Sequence, residues 1–356
     1  MKNPLKQRPQ WIGHLPRVLH LLACVGLGLL TLAALATPWA EWVGQFEKFT
    51  HLVLQEALAA AMLGAYFAFQ KRWKRAALAS CLAAGFAWPM ARYSIPVSQP
   101  LVSADAQTAT MMVFNVYRKN RTPEKVLAAL LKEDLDVLFL TEVTDEWAQL
   151  LKPLADRYPH QLAATPYGNW LLSKHPMEKT EIVLLDFEHV VASNETAGKA
   201  RVPEGKPKSE SWGDNELMVA TLLINGKRIR IGAIHPPTPV NRTKRWQQKA
   251  QAALYQKGLL ADPAADVSIL AGDFNTTPFS PTFRRIVETT NLRHAAQGFG
   301  CMPTWGPRLP FNPILPVLGI PLDHFLVSDQ ANVMSYEVGP ALGSDHRWVK
   351  MKLAFD

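Results

Sequence analysis

Residues 267–275 read VSILAGDFN, a short β-branched and aliphatic run that ends in a carboxylate and, two positions on, an amide. A strand interior does not choose Asp273 or Asn275. The run therefore predicts a strand over Val267–Ala271 that delivers both side chains to the rim of a sheet. The same punctuation recurs along the chain: Asn115 closes VFN in a strand predicted over Met111–Val116, Glu142 stands in LFLTEV within a strand over Leu135–Val143, and His235 follows IGAI. Further on, Asp323 opens DHF and Asp345-His346 precede RWV. One polar residue after a strand is most often an ordinary solvated end. Several of them in a mixed sheet, where strand starts and strand ends share a rim, can converge on one cleft.

The segments between these strands set the fold class. Thr122-Pro123 opens an amphipathic helix, and further helices are expected over about 241–260 and 281–290, so strands and helices alternate in an α/β pattern. Asn225-Gly226 separates the apolar runs Leu217–Ile224 and Lys227–Ile234, the strongest short hairpin signal, which disfavours a purely parallel doubly wound sheet. Strands near Phe325 and Val349 complete the reading. The polar segment 191–215 reads as a loop.

Composition excludes other classes. The chain has 356 residues, 48% apolar and 19% charged, which is too apolar for disorder and too long for a disulfide-stapled scaffold. Cys24 and Cys81 lie in apolar runs and Cys301 is alone in the C-terminal part, so neither a disulfide framework nor a thiolate metal site is available there. The formal net charge of +8 is uneven: 10 basic and 4 acidic residues precede position 106, against 28 and 26 after it. Basicity is therefore weak evidence for a nucleic-acid binder, because the excess sits where membrane topology signals would sit.

Carboxylate and amide oxygens without thiolates suit a hard cation, Mg2+ or Mn2+, and histidines beside carboxylates suit proton transfer. Hydrolysis of a phosphoester fits that inventory. The order Asn115, Glu142, His235, GDFN (272–275), Asp323 and SDH (344–346) resembles the endonuclease/exonuclease/phosphatase, DNase-I-like superfamily. GNWLLSKHPM at 168–177 and PTW at 303–305 add to the resemblance, which covers residues 108–356. It implies a four-layer α/β sandwich, two mixed β-sheets flanked by helices. It also implies that Glu142 is the principal metal ligand, with Asn115 and Asp345 completing or orienting the shell. His346, held by Asp323, would be the catalytic histidine, Asp273 would activate water, and Asn275 and His235 would donate to non-bridging oxygens. Two departures bear on the substrate: Thr141 stands where the family commonly has Gln, and Tyr167 is only a candidate for the Tyr many members place before GDxN. His324, next to Asp323, should face away by strand alternation and reads as structural.

Residues 1–93 read as a membrane region with helices over 18–37, 52–69 and 76–91, followed by a Pro- and Ser-containing linker over 94–107. The first run is a good transmembrane helix; the second carries Gln55 and Glu56 near its start, and the third is short and holds Pro89. Ala34-Leu35-Ala36 resembles a signal cleavage site, but the run is long for a signal core. Lys2, Lys6, Arg8 and Arg17 before the first run, and Lys71, Arg72, Lys74 and Arg75 before the third, belong in the cytoplasm. In a bacterium this predicts a multi-pass inner-membrane protein with an extracytoplasmic catalytic domain, or a cytoplasmic one if the short third run does not cross. The expected partners are the bilayer and a phosphoester, either lipid-linked or nucleic acid. Near-balanced charge leans away from duplex DNA, and Leu309–Pro321, an apolar loop before Asp323, leans toward lipid or core packing. The alternatives are a tethered nuclease and a non-catalytic adaptor, the latter disfavoured because a cluster of buried charge has no structural purpose.

Overall fold

The computed structural model describes residues 15–163, 168–184, 216–239, 242–260, 262–307 and 318–356. Tyr167, the polar segment 191–215 and most of the Leu309–Pro321 loop lie outside the described residues. The chain divides into two compact units at Met90/Ala91.

The first unit is helical, with α1 over Leu15–Ala36, a short α2 over Glu47–Thr50, α3 over Val53–Phe69 and α4 over Trp73–Ala91. Small residues set the helix contacts: Ala23 and Leu27 pack with Phe67, Ala76 and Ala79, and Ala33 packs with Ala57 and Phe86. Leu21, Leu22, Leu29, Leu32 and Leu35 of α1 stay exposed. All three apolar runs fold as helices, but the test of length and apolarity for crossing a bilayer is met by Pro16–Trp39 alone among the described residues. The 17 residues of α3 fall short, and α4 carries Lys74 and Arg75 in its first turn. The expectation of three crossings is thus supported only for its first member.

The second unit holds two six-stranded sheets. The strands are β1 (Gln107–Asn115), β2 (Val137–Val143), β3 (His160–Ala163), β4 (Gly168–Ser173), β5 (Met177–Leu184) and β6 (Glu216–Ile224), then β7 (Lys227–Ile234), β8 (Val267–Asp273), β9 (Arg293–His294), β10 (Asp323–Val327), β11 (Asn332–Val338) and β12 (Val349–Phe355). The sheet orders are β11-β12-β1-β2-β4-β3 and β5-β6-β7-β8-β10-β9. Both sheets are mixed, because β1 and β2 run parallel in one and β7 and β8 in the other. Strand alternation divides the apolar residues between the layers. Met111, Val113 and Phe139 meet Met218, Ile231, Ile269 and Phe325 between the sheets. Met112, Phe114, Leu138 and Leu140 point outward against α5 (Pro123–Leu130) and α6 (Asp145–Leu150). On the far side Val219, Ile234 and Leu270 take α7 (Arg242–Leu260) and α8 (Pro281–Thr290). Strands covered on both faces read as unbroken apolar runs, as they do here.

The hairpin forms where Asn225-Gly226 predicts it, with both residues at positive φ (50° and 83°) and Ile224 paired to Lys227. Ser280 caps α8 by accepting the Phe283 N–H at 3.0 Å, and Pro281 occupies the first turn. The segment read as a linker makes hydrogen bonds along this unit. Gln99 Oε1 accepts from Arg293 and from the Val333 N–H (3.0 and 3.2 Å), Asn332 donates to the Pro100 carbonyl, and Ser103 donates to Asp356. Pro and Ser content signals an absence of regular structure, which is a different property from freedom to move.

Candidate active site

Backbone geometry aims the polar residues at one rim. At the end of β8, Gly272 has φ +148°, and a Cβ there would sit 1.9 Å from the Ile234 carbonyl oxygen, so glycine lets β7 and β8 approach while Asp273 turns into the cleft. Asn275 adopts φ 48°, and its N–H donates to Asp273 Oδ1 at 2.9 Å. In β2 the register to β4 slips between Leu140 and Val143, and Glu142 takes φ 60° at that slip. Non-glycine residues held at positive φ cost about 1–3 kcal/mol each and gather where a side chain must be aimed.

The side chains form one network. His346 lies between two carboxylates, with Nδ1 2.8 Å from Asp323 Oδ2 and Nε2 3.5 Å from Asp273 Oδ2. His235 Nε2 stands 3.6 Å from the same Asp273 oxygen, and its Nδ1 is buried without a hydrogen-bond partner among the described residues. The Asn115 amide donates to Asp273 Oδ2 and to Glu142 Oε1, both at 3.2 Å, linking the two carboxylates. Glu142 Oε2 accepts the Arg118 N–H at 3.1 Å. Asn275 donates to the Pro236 carbonyl and accepts from Thr238 (2.9 and 3.1 Å).

Electrostatics follow from burial and neighbours. Burial pushes the Glu142 carboxyl up, but His235, the Arg118 N–H, the Asn115 amide and His346 outweigh it, and the net shift is downward. Asp273 is raised, first by burial and then by Asp323, against the pull of His346. Burial works against a charge on His346, yet Asp323 and Asp273 prevail and push it up to about 10, so the ring holds a proton at neutral pH. Asp345 is raised by burial and by Glu142, against His346.

The eight residues named from the sequence thus meet at one rim. Seven of them contact a neighbour in the set by the distances or bonds above, and Asp345 is placed by its position next to His346 and its electrostatic coupling to Glu142 and His346. The Asn115 oxygen already accepts the Tyr117 N–H at 3.0 Å, so this residue orients Glu142 and Asp273 as much as it offers a ligand. The donor set fits a hard divalent cation: Asp345 Oδ1 is buried without a partner among the described residues, and Asp345 and Glu142 raise each other's cost of ionisation. Ligand atoms of Asp273, Asp323 and His346 also lie within 4.8 Å of one another. That trio could therefore hold a cation in place of the proton that His346 otherwise keeps between the two carboxylates.

Three supports escaped sequence reasoning. Ser344 donates to the Asn115 carbonyl at 2.7 Å and accepts the His346 N–H at 3.0 Å, docking the SDH turn on β1. Thr304 Oγ1 accepts the Leu322 and Asp323 N–H groups (2.9 and 3.0 Å), which explains its place in the PTW motif. Arg118, Lys119 and Arg121 form an exposed basic run beside Glu142, with no ion-pair partner within 4 Å among the described residues. The signal for the run, YRKNR, is visible in the sequence, but only the fold places it at the rim. His324 turns away from the site, as alternation predicts.

The chain is thus a two-sheet α/β sandwich with acids, amides and histidines gathered at one rim. Residues 112–346 match the model of the Endonuclease/Exonuclease/phosphatase family, and the chain belongs to that family, whose members are generally phosphoester hydrolases. Solved structures agree on the fold. An endonuclease/exonuclease/phosphatase from Beutenbergia cavernae is 21% identical over 70% of this chain and 72% of that one, with a TM-score of 0.51. One from Bacteroides vulgatus is 16% identical over 70% and 100%, with a TM-score of 0.51. TDP2 from D. rerio, complexed with a single-strand DNA product, is 14% identical over 69% and 99%, with a TM-score of 0.52. A sequence comparison with curated proteins finds no match.

Proposed function

We propose that the protein is a membrane-anchored, divalent-metal-dependent phosphoesterase that acts outside the cytoplasm on a lipid-linked or small phosphoester. The observation that carries the reading is the unbroken chain of contacts Glu142–Asn115–Asp273–His346–Asp323, which joins a cation site to a proton-holding histidine. Glu142 and Asp345 would hold Mg2+ or Mn2+ with Asn115 orienting them, and such a cation would supply Lewis acidity toward a phosphoryl oxygen. Asp273 takes a proton from water. His346, kept protonated and oriented by Asp323, donates to the phosphoryl or leaving oxygen, and His235 and the remaining Asn275 N–H face non-bridging oxygens.

Anchoring rests on α1. The cytoplasmic preference of Lys2, Lys6, Arg8 and Arg17 places whatever follows a single crossing on the far side. Three crossings would do the same and would also keep Lys71, Arg72, Lys74 and Arg75 in the cytoplasm, whereas two crossings would leave the catalytic unit in the cytoplasm. The exposed Arg118-Lys119-Arg121 run supports an anionic substrate approaching past Glu142.

That run, with the single-strand DNA product held by the D. rerio TDP2 neighbour, also favours a second reading, a tethered nuclease. Full-length protein in detergent should hydrolyse bis(p-nitrophenyl) phosphate with Mg2+ and lose that activity in EDTA. Parallel assays on phospholipid vesicles and on single-stranded and plasmid DNA rank the two readings. DNA cleavage without lipid turnover reverses their order, and EDTA-resistant hydrolysis overturns the metal assignment.

A further inference from the structure

Behind the rim lies a buried polar column that the reading above does not use. His324 of β10 and His294 of β9 stack edge to face with ring centroids 4.9 Å apart, walled by Phe283 and Phe274 at 4.9 and 5.3 Å from His324. His324 Nε2 is 3.1 Å from the Thr276 carbonyl oxygen, and His324 Nδ1 is 3.2 Å from His294 Nε2. A carbonyl only accepts, so His324 carries a proton on Nε2. Burial lowers this ring to about 4, with the Thr276 and Pro321 carbonyls and Asp273 pulling the other way, so it stays neutral and its Nδ1 accepts. The bond between the two rings couples the tautomer of one to that of the other.

The far side of His294 is closed by Tyr93, ring to ring at 5.2 Å. Tyr93 is only 6% exposed. Its carbonyl accepts the Gly298 and Gly300 N–H groups (2.8 and 2.9 Å), and the Gln297 amide donates to the neighbouring Arg92 carbonyl at 2.9 Å. Tyr93 stands two residues after the end of α4, in the segment that leads into the catalytic sheets. At the other end of the column, Thr276 is one residue past Asn275 and three past Asp273, and its hydroxyl is 2.6 Å from that of Ser280, the cap of α8. Asp323 is the immediate neighbour of His324, so the same column backs both carboxylates that flank His346.

We propose that Tyr93, His294 and His324 are positioning residues that hold the Asp273–Thr276 loop in register with His346, so that the segment following α4 completes the back of the active site. Residues 92–107 are then part of the working enzyme, and cutting them away as a linker would loosen the loop that carries Asp273 and Asn275. The activity arm of the test rests on the phosphoesterase reading; the exchange arm does not.

Full-length wild type, His324→Leu, His324→Gln and Tyr93→Leu are compared in detergent. Gln places an amide N–H near the former Nε2, whereas Leu keeps bulk without a donor. On bis(p-nitrophenyl) phosphate with Mg2+, His324→Leu should lower kcat at least about tenfold with KM within twofold, since a small misplacement of reacting groups costs up to about 10²-fold. His324→Gln should recover to within about threefold of wild type, and Tyr93→Leu should lower kcat in the same direction. Equal losses for Leu and Gln, or a rise in KM that accounts for the loss, overturn the proposal. If wild type hydrolyses nothing, the functional reading fails and hydrogen exchange decides this one. Amides of 273–280 should exchange at least about tenfold faster in His324→Leu and Tyr93→Leu while those of 111–115 are unchanged. No difference, or a uniform increase across the unit, overturns it.

Discussion

Asp323→Asn isolates what the carboxylate does for His346. The bond from His346 Nδ1 to Asp323 Oδ2 is 2.8 Å long, buried and charge-assisted. Such a bond contributes about 1.5–3 kcal/mol, or roughly 10- to 150-fold in rate if it is fully used in the transition state. The amide adds a second fault. Its NH2 end can face Nδ1, which drives the ring proton to Nε2 opposite Asp273, 3.5 Å away. Summing the two, we expect kcat to fall about 10²- to 10³-fold with KM little changed. The fold should survive, because the Asp323 N–H stays on Thr304 Oγ1 and Asp273 still compensates the imidazolium. A loss of about 1–2 kcal/mol is expected, below the 3–5 kcal/mol typical of a buried charge left alone. Steady-state kinetics with Mg2+ and a thermal melt of the same preparation measure both. A kcat within threefold of wild type would falsify the role given to the pair.

Gly272→Ala should prevent the second unit from folding, because the added carbon would sit 1.9 Å from the Ile234 carbonyl at a φ of +148°; soluble protein with a native melt would show that β7 and β8 can separate there. Stability should fall as pH drops below about 6.5. His324, lowered by burial to about 4, stays neutral in the fold while the unfolded ring takes up a proton, so the unfolded state binds more protons between those values. At pH 5 this costs about 2 kcal/mol, and His294, also lowered by burial, adds to it. Urea melts from pH 7.5 to 5 should show the slope in wild type and a flatter one in a His294→Gln/His324→Gln double variant; parallel slopes would remove the pair as its source. A reporter fused after Asp356 should be active outside the cytoplasm, and activity confined to the cytoplasm would reverse the assigned orientation.

Much of the rim was legible because its chemistry interrupts apolar runs. Asp273 after ILAG and His235 after IGAI are residues that a two-sided buried strand cannot absorb, so they announce a strand end. The hairpin was equally plain, since Asn-Gly satisfies two positive φ angles in succession. Other features left no local trace. Glu142 has no intrinsic preference for φ 60°; it is held there by the slip between β2 and β4 and by the Arg118 N–H, neither of which a single segment contains. Strand β11 is polar on one face and short of turn signals, and its pairing to β12 comes from sheet geometry. Segment 94–107 shows the opposite failure, a composition typical of linkers in a stretch where Gln99, Pro100 and Ser103 each bond to residues more than 190 positions distant. The apolar runs near the N-terminus were found as helices, but periodicity reports burial without saying in what medium.

The charge balance at the rim constrains the order of events there. Glu142, Asp273, Asp323 and Asp345 share one rim with two histidines, of which His346 holds a proton, so acids outnumber histidines where an anionic phosphoester would bind. Two features offset this. A divalent cation held by Glu142 and Asp345 would relieve the repulsion that raises Asp345, and the exposed Arg118, Lys119 and Arg121 add positive charge in the segment whose Arg118 N–H meets Glu142, without ion pairs to the carboxylates among the described residues. The amide of Asn115 cannot substitute for either, since its two bonds to Glu142 and Asp273 orient charge without removing it. Substrate affinity at low ionic strength should therefore be governed by the cation and the basic run together, while the rate after binding depends on how His346 is held.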